Sequence, residues 1–209
     1  MKRNYINGDY RSLLSDIRFD IDLYSDMAYK NDLISTYYLM IYYANLPNDR
    51  FDYGLFKYWA DRLSTLGLGR GLLIDALSFE HTKEEQLTLI KKAADLGDAK
   101  AQFKYASLLD NNTKEYVEYM ISSADNYYKD SAYYAGLIFE KYGLYEEAYS
   151  YFLKDYESEN CLKKISEYID RFDFYASDEI IQQIHELEFY GALDDLIDFD
   201  NEDEEDIEE

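Results

Sequence analysis

The sequence predicts an all-α chain, a stack of antiparallel helix pairs, on three observations. Apolar residues recur at helical spacing through most of the chain. Only nine glycines and one proline interrupt 209 residues, too few for a turn-rich β-sandwich. Several residue series also repeat at an interval of thirty. Gly67 pairs with Gly97; Ser64, Ala94 and Ala124 form one small-residue series, and Ala76, Ala106, Gly136 and Ser166 form another. Large residues run between them: Leu73, Phe103 and Tyr133, then Phe79, Leu109, Phe139 and Ile169. Small residues let helices approach closely, and large ones fill the adjoining layer. Independent series that share one period mark a structural repeat.

Residues 1–31 read as an N-terminal helical cap. Asp9–Phe19 carries Leu13, Leu14 and Ile17 on one face, and Ile21–Tyr29 makes a second short helix. An end repeat needs a polar outer face, so its pattern departs from the rest. The repeat domain spans 32–191. Its first helix, Asp32–Leu46, places Leu33, Tyr37, Met40, Ile41 and Ala44 on one face and stops at Pro47. The partner, Phe51–Leu66, carries Leu55, Tyr58, Trp59, Arg62 and Leu63, and Gly67 closes it with a left-handed residue.

Further pairs run Gly71–Phe79 with Lys83–Leu96, Ala99–Leu109 with Lys114–Asn126, and Ser131–Tyr142 with Tyr145–Tyr156. The last is Cys161–Phe172 with Ser177–Tyr190, where Ser177 is the N-cap candidate and Gly191 the stop. Residues 192–209 form an acidic C-terminal tail.

The junction Lys91–Asp110, KKAADLGDAKAQFKYASLLD, resembles that of the Sel-one-like repeat family, relatives of the tetratricopeptide repeats. The matching residues are Lys92, Ala93, Ala94, Gly97, Ala101, Gln102 and Ala106. The likeness is specific over about Lys83–Phe139. It implies a right-handed solenoid of about five antiparallel helix pairs that binds other proteins. Two departures stand out. The family's glycine-rich connector within a pair is replaced by Glu80-His81-Thr82, Asn111-Asn112-Thr113 and Tyr142-Gly143-Leu144. The period, near thirty to thirty-two, is shorter than the family's.

Formal net charge is −23, and eleven acids with no base lie between Asp194 and Glu209. The rest of the chain still sets 33 acids against 21 bases. Such a surface repels nucleic acid and anionic membrane and favours a basic protein partner. Met1-Lys2-Arg3 is followed by no apolar run, so no secretory signal is expected, and no stretch is long and apolar enough to span a membrane. The single cysteine, Cys161, fits a reducing compartment, so the expected location is the cytoplasm.

Residues that carry chemistry are few. His81 and His185 are the only histidines, and a nucleophilic pair with Cys161 would need them to meet in space. No paired-cysteine or HExxH spacing offers a metal site, and no cofactor is expected. Gly67-Leu68-Gly69-Arg70-Gly71 looks like a phosphate loop but follows a helix and lacks the lysine and hydroxyl, so it reads as a corner between repeats. In the acidic tail, Asp198, Asp200, Glu202 and Glu209 match an EF-hand count, yet Asp203 stands where the turn needs glycine.

Tyrosine is abundant, with 25 residues and adjacent pairs at 37–38, 42–43, 127–128 and 133–134. Neighbours on a helix point about 100° apart, so the two members of a pair sit at different depths. Tyrosine is favoured at protein interfaces, yet for any one tyrosine core filling with a biased composition is the commoner reading. By analogy with repeat folds, whose first helices line the groove, Tyr38, Lys104 and Tyr134 are candidate partner-binding residues. The tail acids Asp194, Asp195, Asp198, Asp200, Glu202, Asp203, Glu204 and Glu205 are the others. The function expected first is a non-catalytic inhibitor or immunity protein that captures a basic toxin or nucleic-acid-binding protein. An adaptor with an apolar groove is the second expectation, and a carboxylate-dependent enzyme the third.

Overall fold

A computed structural model describes residues 20–47 and 49–189. The expected helix Asp9–Phe19, the stop at Gly191 and the acidic tail lie outside those residues. The described chain is all helical: α1 Ile21–Tyr29, α2 Leu33–Asn45, α3 Tyr53–Thr65, α4 Arg70–Ser78, α5 Lys83–Asp95, α6 Ala99–Ala106 and α7 Lys114–Asp125. There follow α8 Lys129–Lys141, α9 Tyr145–Phe152 with a 3₁₀ turn Leu153–Asp155, α10 Glu159–Phe172 and α11 at 178–189. None of these helices is long and apolar enough to cross a membrane. Contacts divide the chain into two compact units, Met1–Tyr128 and Lys129–Glu209.

In the first unit, consecutive helices pack in order from α1 to α7. All of them but α4, which follows Gly69, start at a side-chain cap. Asp20, Asp32, Asp52, Thr82, Asp98 and Thr113 accept from the third backbone N–H beyond them. Thr82 and Glu85 complete a reciprocal capping box at the end of the connector Glu80-His81-Thr82. The ends of α1, α3, α5 and α7 share one backbone solution. A left-handed residue follows each: Asn31, Gly67, Gly97 and Tyr127, with φ of 67°, 87°, 81° and 62°. The next N–H then reaches back to a carbonyl inside the helix, as from Asp98 to Ala93 and from Tyr128 to Ser123. The thirty-residue interval between Gly67 and Gly97 therefore continues to Tyr127, where a tyrosine takes a conformation that favours glycine.

The glycine corner is a packing device. A Cβ on Gly71 would lie 2.9 Å from the Ala60 Cα, and one on Gly69 would collide with the Ala93 carbonyl. These contacts bring the start of α4 against the backbones of α3 and α5, so α4 is buried along nearly its whole length. The corner reading of this stretch is correct.

The core face of α3 is Phe56, Trp59, Ala60 and Leu63; Leu55 and Tyr58 are exposed, and Arg62 turns away from the core. The expected stripe is thus offset by about one residue, because Phe56 packs on Phe79 at the end of α4 and on Tyr53 one turn back in its own helix. Arg62 instead donates to the Ala28 and Tyr29 carbonyls and to the Asn31 side chain, tying α1 to α3. Helix α6 ends at Ala106, three residues before the expected Leu109.

In the second unit, α8 packs on α9 and α9 on α10. Gly136 admits the Phe152 ring directly against the α8 backbone. Around Tyr168, itself fully buried, gather Tyr145, Tyr149, Phe152, Phe172 and Phe174, with ring centroids within 6.2 Å. The small-residue series lapses here: Ser166 is half-buried and Ile165 holds the core position. Ser177 accepts from the Ile180 N–H at 3.4 Å, the expected start of α11.

Candidate functional site

The first unit carries two adjoining recesses. The larger, about 700 Å³, is walled by Leu33, Ile34, Tyr37 and Tyr38 at the start of α2 and floored by the corners Gly67–Arg70 and Leu96–Ala99. Its walls are mainly apolar, and Ile34 is 64% exposed. The one cation lining it, Arg70, is held by Asp98 at 2.7 Å, and Asp98 also caps α6. The glycine corners leave this floor bare: a Cβ on Gly67 or Gly97 would meet nothing within 4 Å.

The second recess, about 560 Å³, lies on the other side of the last turn of α5. Ala94 and Asp95 line it, whereas Leu96 and Gly97 line the first. Lys114, Glu115, Glu118, Tyr119 and Ser122 of α7 and Gln102 of α6 complete it. A hydrogen bond from Asn126 to Gln102, 3.0 Å, joins the two recesses.

Every carboxylate of the second recess has a partner. Tyr119 donates to Asp95, and Lys114 pairs with Glu118 at 3.0 Å. Lys91 reaches Glu115 at 2.5 Å and sits 4.6 Å from the Tyr105 ring centroid and 5.4 Å from that of Tyr119. The Lys91 contact and the Tyr105 hydroxyl hold the Glu115 carboxyl below the usual glutamate range. The bonds that Lys91 donates to Glu115 and to the Tyr105 hydroxyl raise its ammonium above the usual lysine range. A carboxylate kept ionised in this way is a cation receptor and a poor general acid.

A third polar group lies in the core. Asp75 on α4 is fully buried and accepts from Tyr53 at 2.8 Å, from Lys57 at 3.0 Å and from His81 at 3.0 Å. Burial and the Asp75 carboxylate push the Tyr53 hydroxyl well above its ordinary range. The group ties α3, α4 and the α4–α5 connector together. His81 is therefore a partner of a buried carboxylate, a role its isolated position in the sequence did not reveal.

The candidate residues separate as follows. Tyr38 walls the larger recess and meets Tyr24 edge-on at 5.6 Å. Lys104 lies half-buried in the last turn of α6, outside the residues lining either recess. Tyr134 is exposed on α8 of the second unit. Tyr37 and Tyr38 are both half-buried, so this pair does not split by depth, whereas Tyr133 is half-buried and Tyr134 exposed. Asp194, Asp195, Asp198, Asp200, Glu202, Asp203, Glu204 and Glu205 lie outside the described residues. Cys161 is buried in the second unit's core, and burial pushes its thiol up to about 12, so it carries little thiolate at neutral pH. Among the described residues, no group of three or more His, Cys, Asp or Glu could hold a metal ion. Sequence reasoning missed Leu33, Ile34 and Leu96 as recess walls, because apolar residues at helix ends look like core.

No family model matches the sequence, and no curated protein matches it. Solved structures do. A protective antigen of uropathogenic Escherichia coli that displays an SLR fold superposes with a TM-score of 0.51 at 19% identity, over 80% of this chain and 39% of that one. This chain thus spans about two fifths of the antigen. A Sel1 repeat protein from Oxalobacter formigenes matches with a TM-score of 0.49 at 13% identity, over 80% of this chain and 74% of that one. The stacked pairs, the Lys91–Asp110 junction and the superposition on the antigen agree: this chain has the fold of the Sel1-like repeat proteins.

Proposed function

We propose that this protein is a non-catalytic binding module that captures a basic protein, acting as a cytoplasmic inhibitor or immunity protein. The carrying observation is how its charges are used. Over residues 20–189, 31 acids face 17 bases. Several of those bases are already engaged: Lys57, Arg70, Lys91, Lys129 and Lys164 are each held against a carboxylate of another helix or loop. What faces solvent is an acidic field, which steers cationic partners and repels nucleic acid. The paired state of the recess carboxylates supports binding rather than acid–base chemistry. A lone, buried cysteine supports a reducing compartment.

Electrostatic capture predicts association that slows steeply as salt rises. The test is stopped-flow association with the partner isolated on the full chain, at low and physiological ionic strength. A rate indifferent to salt would sink the reading. The larger, mainly apolar recess supports an adaptor as the second reading. Deleting residues 194–209 separates the two, because an adaptor keeps its affinity and a charge-driven inhibitor loses part of it.

A further inference from the structure

Resting on the basic-partner reading, we propose that the corner of α2, α5 and α7 docks a partner segment in which an apolar side chain is followed closely by a lysine or arginine. The two recesses place the complementary chemistry side by side. The apolar side chain enters between Ile34 and Leu96, over a floor that Gly67 and Gly97 keep free of side chains. The cation reaches across the last turn of α5 to Asp95 and Glu118.

Charge decides which segment fits. Arg70, the one cation lining the apolar recess, is neutralised by Asp98, so nothing there rewards a carboxylate. The adjoining recess sets Asp95, Glu115 and Glu118 against Lys114 and the Lys91 that reaches Glu115, so its balance stays negative. The chain itself shows that this setting takes a cation: the Lys91 ammonium already lies against Glu115 and the faces of Tyr105 and Tyr119. An acidic segment would meet like charge, and a purely cationic one would leave Ile34 and Leu96 in water. Apolar contact supplies affinity and the cation supplies direction.

The test uses the full chain and three synthetic peptides of equal length, alternating leucine with arginine, serine with arginine, and leucine with glutamate. Methyl resonances of Leu33, Ile34 and Leu96 report the site. The leucine–arginine peptide should shift them saturably, and the other two should not. Ile34→Ser should weaken binding roughly tenfold by removing apolar contact. Glu118→Gln should weaken it about threefold and flatten its salt dependence. Both side chains are exposed, and unchanged thermal unfolding verifies the fold of each variant. Absence of the methyl shifts, or equal shifts with the leucine–glutamate or serine–arginine peptide, overturns the corner. Salt-dependent binding mapped elsewhere on the chain would overturn it while leaving the acidic-capture reading intact. Salt-independent binding at the corner would overturn the lysine or arginine arm and count against that reading too.

Discussion

Two tyrosine hydroxyls show how differently the halves of this protein are held. In the first unit, Tyr53 donates to Asp75, and Lys57 and His81 complete the shell of that carboxylate. In the second, Tyr168 lies in a nest of five aromatic rings, and its hydroxyl has no hydrogen-bond partner among the described residues. Burial raises this hydroxyl too, with the Glu140 carboxylate, itself engaged by Lys164, adding to the effect. The first unit fixes its helices by directional bonds converging on one atom group. The second relies on ring shape and leaves a polar atom unanswered. A satisfied polar group specifies geometry, whereas an unsatisfied one only subtracts from stability.

The contrast can be broken at its strongest point first. Asp75→Ala strands Tyr53 and His81 and should cost about 3–5 kcal/mol, read as a large drop in the chemical-denaturation midpoint. A loss below about 1 kcal/mol would mean the network is incidental. In the aromatic half the sensitive atom is a missing one. Gly136→Ala would ordinarily favour a helix, yet here its methyl meets the Phe152 ring, and a loss of about 1–3 kcal/mol is expected. A stabilised variant would show that the ring yields. Tyr168→Phe removes the orphan hydroxyl and keeps the ring, so calorimetry should find a gain of up to about 1 kcal/mol. Clear destabilisation would reveal a partner for that oxygen.

Acidification should separate the units more gently. In the first, hydrogen bonds hold Asp32, Glu85 and Glu115 below their ordinary range. A depressed folded value contributes stability above the unfolded value, and that contribution is lost as pH falls through the folded one. In the second, burial raises Asp155, so the opposite sign applies: its penalty is relieved as pH falls through its folded value. Residue-resolved hydrogen exchange at neutral pH and near pH 4 should show the first unit losing protection sooner. Uniform loss would remove the distinction.

Much of the scaffold was legible in the sequence because its signals are local. Caps, corner glycines and helical spacing each act within a few residues, so Ile21–Tyr29 emerges as expected and the other described helices begin or end within a few residues of their expected bounds. Tyr127 escaped because nothing in a tyrosine announces a left-handed backbone; only its distance from Gly97 does. Asp75 escaped because it sits inside the apolar run Leu72-Leu73-Ile74-Asp75-Ala76-Leu77, while its partners come from another helix and a connector. The recess was illegible for a related reason. Leu33, Ile34 and Leu96 wear core chemistry at helix ends, and only the assembled corner leaves them uncovered. The thirty-residue series holds through Gly136 and fades at Ser166, where Ile165 takes the core position.

The repeated corner carries a consequence for how such a protein changes in length. Gly67, Gly97 and Tyr127 return the backbone to one posture at equal intervals. A segment copied from one corner to the next begins and ends in the same direction, so it can be inserted or lost whole without unwinding a helix. Duplication in multiples of that interval preserves the reading of every cap downstream. Any other increment would set a helix start where a helix middle is required. The corner thus serves as a joint between interchangeable parts, and descendants of this chain should differ by whole pairs.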